Sequence, residues 1–173
     1  MKKTLFIISI LLFTNYIQAQ VTSNNDSIIN SYLTEINMDS IEHNIIDLEN
    51  FGTRFMLAPN RKNLAIWFKN RFINLGYTNT VIDSFQTETH CHYGIGDWDT
   101  ITWQYNVIAE LQGSQFQDSS VIIGAHYDSY NEFIDPFISA PGADDDASGV
   151  GVIFEIARVI KQENYLPKTN IKF

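Results

Sequence analysis

The run Ser120-Val121-Ile122-Ile123-Gly124-Ala125, followed at once by His126-Tyr127-Asp128-Ser129, carries the strongest fold signal in this chain. A short, nearly all-apolar run of this kind predicts a strand buried on both faces, as in the middle of an α/β sheet. Downstream, residues 148–162 place Val150, Ile153, Phe154, Ala157 and Ile160 at helical spacing, and Pro167 closes the connection. Thr169-Asn170-Ile171-Lys172-Phe173 then reads as a second strand. Strand, loop, helix, strand is the right-handed crossover that lays two parallel strands in one sheet. The sequence stops inside that second strand, which reads as a truncation on the C-terminal side.

Upstream, residues 28–51 carry two apolar stripes, Ile28, Ile29, Tyr32, Leu33 and Ile36, then Ile41, Ile45, Ile46 and Leu48. They predict two amphipathic helices with an N-cap region at Asp39-Ser40. Gly52-Thr53-Arg54 and Pro59-Asn60 mark a loop. A helix is expected over 61–75, with Leu64, Ile66, Trp67, Phe68, Phe72 and Leu75 as its apolar face and Gly76 as its stop. Strands are expected at 80–85 and 103–111, the latter with Tyr105, Val107, Ala109 and Leu111 on one face. The stretch between, 89–99, reads as a loop. Together these elements specify an α/β fold with a mixed, mainly parallel central sheet flanked by helices.

The chain has 173 residues, 45% of them hydrophobic and 13% aromatic, which suits one globular domain. Its N-terminus reads as a secretory leader. Lys2 and Lys3 precede an apolar run from Leu5 to Phe13, and Ala19 offers a small residue for cleavage. That run is too short to span about 30 Å of hydrocarbon. Residues 1–19 are therefore expected to be a signal peptide and 20–173 a partial catalytic domain, secreted or periplasmic, with no membrane attachment after cleavage. The whole chain carries 11 Lys and Arg against 20 Asp and Glu; loss of Lys2 and Lys3 leaves nine basic residues and a net charge of −11. So acidic a chain argues against a nucleic-acid partner, which needs clustered cations. The single cysteine, Cys91, has no partner for an internal disulfide.

Two segments carry chemistry. His126 follows the apolar run, at the carboxyl end of a strand, where open α/β sheets bind ligands. Imidazole is a favoured zinc ligand, at about 2.0–2.1 Å. Asp128, two residues on, shares a face with it in an extended chain and can accept its other ring N–H, fixing tautomer and orientation. The second segment is Pro141-Gly142-Ala143-Asp144-Asp145-Asp146-Ala147-Ser148-Gly149, immediately before a helix. One Asp is enough to cap a helix and favour its dipole. Three adjacent carboxylates repel one another, and a divalent cation relieves that repulsion. A histidine, an orienting aspartate and a bridging carboxylate are parts of a two-metal hydrolytic site.

These segments closely resemble the co-catalytic zinc aminopeptidases of peptidase family 28. Phe51-Gly52-Thr53-Arg54, Leu75-Gly76-Tyr77 and Asn106-Val107-Ile108-Ala109-Glu110-Leu111-Gln112-Gly113 resemble earlier landmarks of that family, in the same order. The resemblance implies a three-layer zinc-aminopeptidase fold. It also implies removal of N-terminal residues from peptides or proteins by water activated by two zinc ions. His126 and Asp145 are implied as metal ligands, Asp145 bridging both ions. Asp128 is implied as the active-site residue that orients His126, and Asp144 and Asp146 as shapers of the loop. A non-proline cis peptide is implied between Asp145 and Asp146. A Glu-Glu pair after the strand beginning near Asn170, supplying general base and ligand, and a later Asp and His are implied too; none of them occurs before Phe173. This chain alone is then expected to bind metal weakly and to be inactive.

Two alternatives share the fold: a single-zinc glutaminyl cyclase, against which the intact Asp-Asp-Asp run argues, and a non-catalytic binding domain, against which His126, Asp128 and Asp145 argue. His90-Cys91-His92 is a separate candidate metal group. Adjacent strand residues point to opposite faces, however, and no second set of ligands lies near in sequence, so a loop or edge strand is the favoured reading.

Overall fold

A computed structural model describes residues 24–93 and 96–173; the expected signal peptide at 1–19 lies outside the described residues. Among the described residues there are four α-helices: α1 (Asn24–Thr34), α2 (Met38–Glu49), α3 (Arg61–Asn74) and α4 (Ser148–Gln162). Four strands, β1 (Thr80–Tyr93), β2 (Gly96–Leu111), β3 (Phe116–Ile122) and β4 (Thr169–Lys172), make one mixed sheet in the order β1-β2-β4-β3. The crossover β3–α4–β4 yields the expected parallel ladder. The β1–β2 and β2–β4 ladders are antiparallel. Among the described residues no helix is long and apolar enough to cross a membrane.

Helix boundaries follow local chemistry. The Asn37 side chain accepts from the Ser40 amide at 3.2 Å and caps α2, so the cap lies two residues before the expected Asp39-Ser40. Asn37 has the extended backbone that an N-cap requires, whereas Asp39 and Ser40 already lie in the first turn. Gly76, with φ +93°, follows the last turn of α3 where a side chain would be strained.

One core joins helices and sheet. Leu64, Phe68 and Phe72 of α3 meet Val150, Ile153, Phe154 and Ala157 of α4, with Leu48, Tyr77, Ala109 and Phe173. Phe72 lies 4.9 Å from Phe154 and Tyr77 5.3 Å from Phe173, centroid to centroid, distances at which aromatic pairs add to simple burial. Ile66, expected on the buried face of α3, is instead exposed.

Two further expectations are corrected. The run at 120–125 is not buried on both faces: Val121 and Ile122 are 52% and 77% exposed, while Ile123 and Ala125 pack on the core. β3 is the edge of the sheet, and all seven of its residues are exposed. The stretch 89–99 is not a loop but the two arms of a long hairpin, in which His90 pairs with Asp99 and His92 with Asp97 along the ladder. His90, Asp97 and Asp99 on its arms are exposed, and polarity there does not oppose strand formation.

A buried carboxylate fastens the first two helices to α4. Glu155, 2% exposed, accepts from the Asn37 amide at 2.7 Å and from Arg158 at 2.6 and 2.9 Å; Arg158 also donates to the Glu35 carbonyl. Burial alone would push the Glu155 carboxyl up. The bonds from Arg158, Asn37 and Ser40, with the charge of Arg158, outweigh it and hold the group below the usual carboxylate range. Glu155→Ala is expected to cost about 3 kcal/mol in urea unfolding at pH 7, because it strands Arg158 without its carboxylate. Since the folded carboxyl titrates below its unfolded value, its contribution is complete at neutral pH and is lost as pH falls through the folded pKa. The parent should therefore lose stability in acid more steeply than Glu155→Gln.

Candidate metal centre

The first site segment owes its geometry to a tyrosine. Tyr127 packs its ring 4.6 Å from that of Phe68 and donates its hydroxyl to the Tyr105 carbonyl at 2.5 Å. Burial, with the charges of Asp128 and Tyr105, pushes the phenol up to about 12, so it remains a donor at any working pH. With Tyr127 held inward, the alternation of an extended chain turns His126 and Asp128 outward together. Their side chains are 55% and 46% exposed.

The second segment is shaped by glycine and by capping. Gly142 has φ +52° and ψ 50°, the left-handed region. Ala143–Ala147 then makes one wide turn, broken by non-helical conformations at Asp145 (φ −117°, ψ 94°) and Asp146 (φ −128°, ψ 39°). The Asp145–Asp146 peptide bond is cis. Asp146 accepts from the Gly149 amide at 3.0 Å and so caps the first turn of α4, and the Asp144 carbonyl accepts from the Ser148 hydroxyl at 2.8 Å. Those two residues are occupied with the loop and the helix start. Asp145 is left projecting, its side chain 87% exposed.

The fold brings the three candidate residues together. His126 Nε2 lies 3.0 Å from Asp145 Oδ1, and His126 Nδ1 faces Asp128, 3.3 Å from Oδ1 and 3.2 Å from the carbonyl oxygen. Two ligands of a tetrahedral zinc ion at 2.0–2.2 Å stand about 3.3–3.6 Å apart, a few tenths of an ångström more than the His126–Asp145 separation. The His126–Asp145 pair thus fits two corners of such a site, while Asp128 supplies the acceptor that a ligating imidazole requires on its other nitrogen. Among the described residues no group of three or more His, Cys, Asp or Glu is arranged to hold a metal ion. Partial burial pushes the His126 imidazole down. The hydrogen bond to the Asp128 carbonyl and the charges of Asp128, Asp145 and Asp146 outweigh it and hold the ring above its ordinary value.

At the hairpin, His90 Nδ1 pairs with Asp99 at 2.7 Å, an acceptor that only strand pairing brings near it. Of the candidate group His90-Cys91-His92, the side chains of Cys91 and His92 lie outside the described residues.

Sequence reasoning missed Arg54, present only as part of a landmark. Its guanidinium, in a residue 2% exposed, donates to the carbonyls of Leu48, Tyr127, Pro141 and Gly142. No local pattern announces a partner that lies 73 to 88 residues away.

In sequence and fold the chain is similar to known peptidases. The family described as Peptidase family M28 matches residues 106–173. A probable zinc metalloprotease of Pyrenophora teres f. teres is 34% identical over 158 residues, covering 86% of this chain and 33% of that protein. Leucine aminopeptidase 1 of Aspergillus niger is 29% identical over 140 residues, covering 80% and 33%. Among solved structures, the LapA aminopeptidase of Legionella pneumophila matches with a TM-score of 0.62 at 27% identity, over 86% of this chain and 36% of that one. Porphyromonas gingivalis glutaminyl cyclase shares the fold, with a TM-score of 0.59 at 24% identity over 80% and 47%. The chain spans about a third of the length of the curated relatives it matches.

A Cβ at Gly142 would lie 2.5 Å from Ser129 Cβ, 2.7 Å from the Asp145 carbonyl and 2.9 Å from Arg54 Nη2. Gly142→Ala is expected to cost at least 1–2 kcal/mol, roughly the left-handed penalty alone, in urea unfolding. Gly124→Ala, whose Cβ would meet nothing within 4 Å, should leave stability unchanged or slightly raised.

Proposed function

We propose that this chain, whose residues 106–173 match the model of peptidase family M28, serves in zinc-dependent removal of N-terminal residues from peptides. The observation that carries this reading is the approach of His126 Nε2 to Asp145 Oδ1, 3.0 Å, beside the carboxyl end of a sheet strand. Zinc bound there supplies Lewis acidity toward a peptide carbonyl and lowers the pKa of water. His126 and Asp145 are the ligands this chain offers. Asp145, with two carboxylate oxygens and an exposed side chain, is the one suited to bridge a pair of ions. Asp128 holds the His126 ring by its Nδ1 side, keeping Nε2 as the lone-pair donor and matching the imidazole's orientation to the ligand direction. Tyr127 keeps both residues on one face.

Several observations favour a peptidase over the glutaminyl cyclase alternative. The relatives at 29–34% identity are named metalloprotease and aminopeptidase, while the cyclase likeness is one of fold. The Asp-Asp-Asp run also leaves one aspartate free to bridge after another has capped α4. The leader-like residues 1–19 support action outside the cytoplasm, and intact-mass measurement of the secreted protein is expected to give a mature N-terminus at Gln20.

Two donors and no third among the described residues support weak metal binding by this chain and no turnover. Competition with a chromophoric chelator is expected to give micromolar or weaker zinc affinity, with loss of at least tenfold in His126→Ala and in Asp145→Asn. Affinity should rise with pH through the His126 titration, because only the neutral ring ligates and this ring holds its proton above the ordinary range. Zinc-dependent release of p-nitroaniline from leucine p-nitroanilide by residues 20–173 would sink the claim of inactivity. Zinc affinity indifferent to both substitutions would sink the metal site.

A further inference from the structure

The two loops that carry His126 and Asp145 do not bond to each other through their own backbones. They are joined through a third segment, Gly52–Arg54. The Ala140 amide donates to the Gly52 carbonyl at 2.8 Å, and Thr53 pairs with Ala140 as an isolated bridge. The Ser129 amide donates to the Arg54 carbonyl at 3.2 Å; the Ser129 hydroxyl accepts from the Arg54 amide at 3.2 Å and donates to the Ala140 carbonyl at 2.5 Å.

The Arg54 side chain completes the junction. Nε donates to the Tyr127 carbonyl at 2.8 Å, between His126 and Asp128. Nη1 donates to the Leu48 carbonyl at 3.1 Å and to the Pro141 carbonyl at 2.5 Å, and Nη2 to the Gly142 carbonyl at 2.8 Å. Four of five N–H groups are spent on backbone oxygens from three separate segments. None of the four bonds reaches a carboxylate. The charge is held by carbonyl dipoles, with Asp128 and Glu49 acting through space. A planar fork imposes directions on its acceptors that a lysine ammonium cannot, so it fixes how far the loop of Tyr127 stands from the loop of Gly142.

We infer that Arg54 is a positioning residue of the metal centre, setting the separation of His126 from Asp145 by clamping the backbone beside each of them. This rests on the metal-site reading proposed above and adds to it the element that decides whether two donors from distant segments meet at ligand spacing.

The test uses the full chain with cobalt(II) as probe and hydrogen exchange as a metal-free readout, comparing Arg54→Lys with Arg158→Lys. Arg158 is a second arginine with backbone and carboxylate partners, and it lies on the α1–α2 side of α4. Arg54→Lys is expected to speed exchange of the Ser129, Ala140 and Ala147 amides together. It should also weaken cobalt affinity about tenfold or more and shift the visible cobalt band, as loss of a group that orients metal ligands does. Arg158→Lys, at a comparable loss of urea stability, should leave exchange at both loops and cobalt affinity within twofold of the parent. Should Arg54→Lys fail to fold, Ser129→Ala carries the same readouts, with smaller shifts in the same direction. Unchanged exchange at the two loops overturns the inference, as does a cobalt affinity that falls no further in Arg54→Lys than in Arg158→Lys. A parent chain with no His126-dependent cobalt band overturns the metal reading and this inference with it. The exchange data would separate that failure from failure of the clamp.

Discussion

A guanidinium taken out of water must find acceptors for its N–H groups, and Arg54 finds them almost entirely on the backbone. That constraint organises the upper part of the molecule. The end of α2, the strand-to-loop passage at Tyr127 and the entry to the aspartate loop at Pro141-Gly142 all present carbonyls to one planar group. Gly142 is glycine because its left-handed backbone brings Cα against Ser129 and Arg54, leaving no room for a side chain. Below this junction the aromatic core of Phe68, Phe72, Phe154 and Phe173 holds α3 and α4 to the sheet. Tyr127 belongs to both layers, packed on Phe68 by its ring and next to Arg54 by its carbonyl.

The chemistry at the surface of this scaffold follows from division of labour among like residues. Of three consecutive aspartates, Asp146 has its carboxylate engaged by the Gly149 amide, and Asp145 is the one that meets His126, at 3.0 Å. The histidine in turn has two different neighbours on its two nitrogens, Asp128 on one side and Asp145 on the other. An imidazole between two carboxylates favours its proton, and the same arrangement favours a metal ion that displaces it. This centre stands open to solvent, with the Asp145 side chain 87% exposed, so its carboxylates are strongly screened.

Much of the fold was legible in the sequence because it depends on short-range periodicity. Helix α4 begins and ends where its apolar spacing places it, α3 ends at Leu75-Gly76, and the β3–α4–β4 crossover gives a parallel ladder. The errors share one cause. Whether Val121 and Ile122 are covered depends on what lies across the sheet, which their own apolarity does not reveal. The residues at 89–99 lack strand-like apolar alternation, yet form strands because each arm of the hairpin satisfies the backbone of the other. His90 was weighed without Asp99, its closest partner, for the same reason.

The sequence by itself determined which side chains can ligate: His126, Asp128 and the aspartate run are chemically distinctive wherever the chain places them. It also determined the alternation that puts His126 and Asp128 on one face, since two residues apart in an extended chain is a local relation. Only the tertiary structure decided that Asp145, rather than Asp144 or Asp146, meets His126. Only the tertiary structure made Arg54, a single arginine in a loop, the group that holds both loops. Those outcomes depend on contacts between residues 19 to 88 positions apart, and such contacts are set by the packing of whole elements rather than by any pattern in the residues that make them.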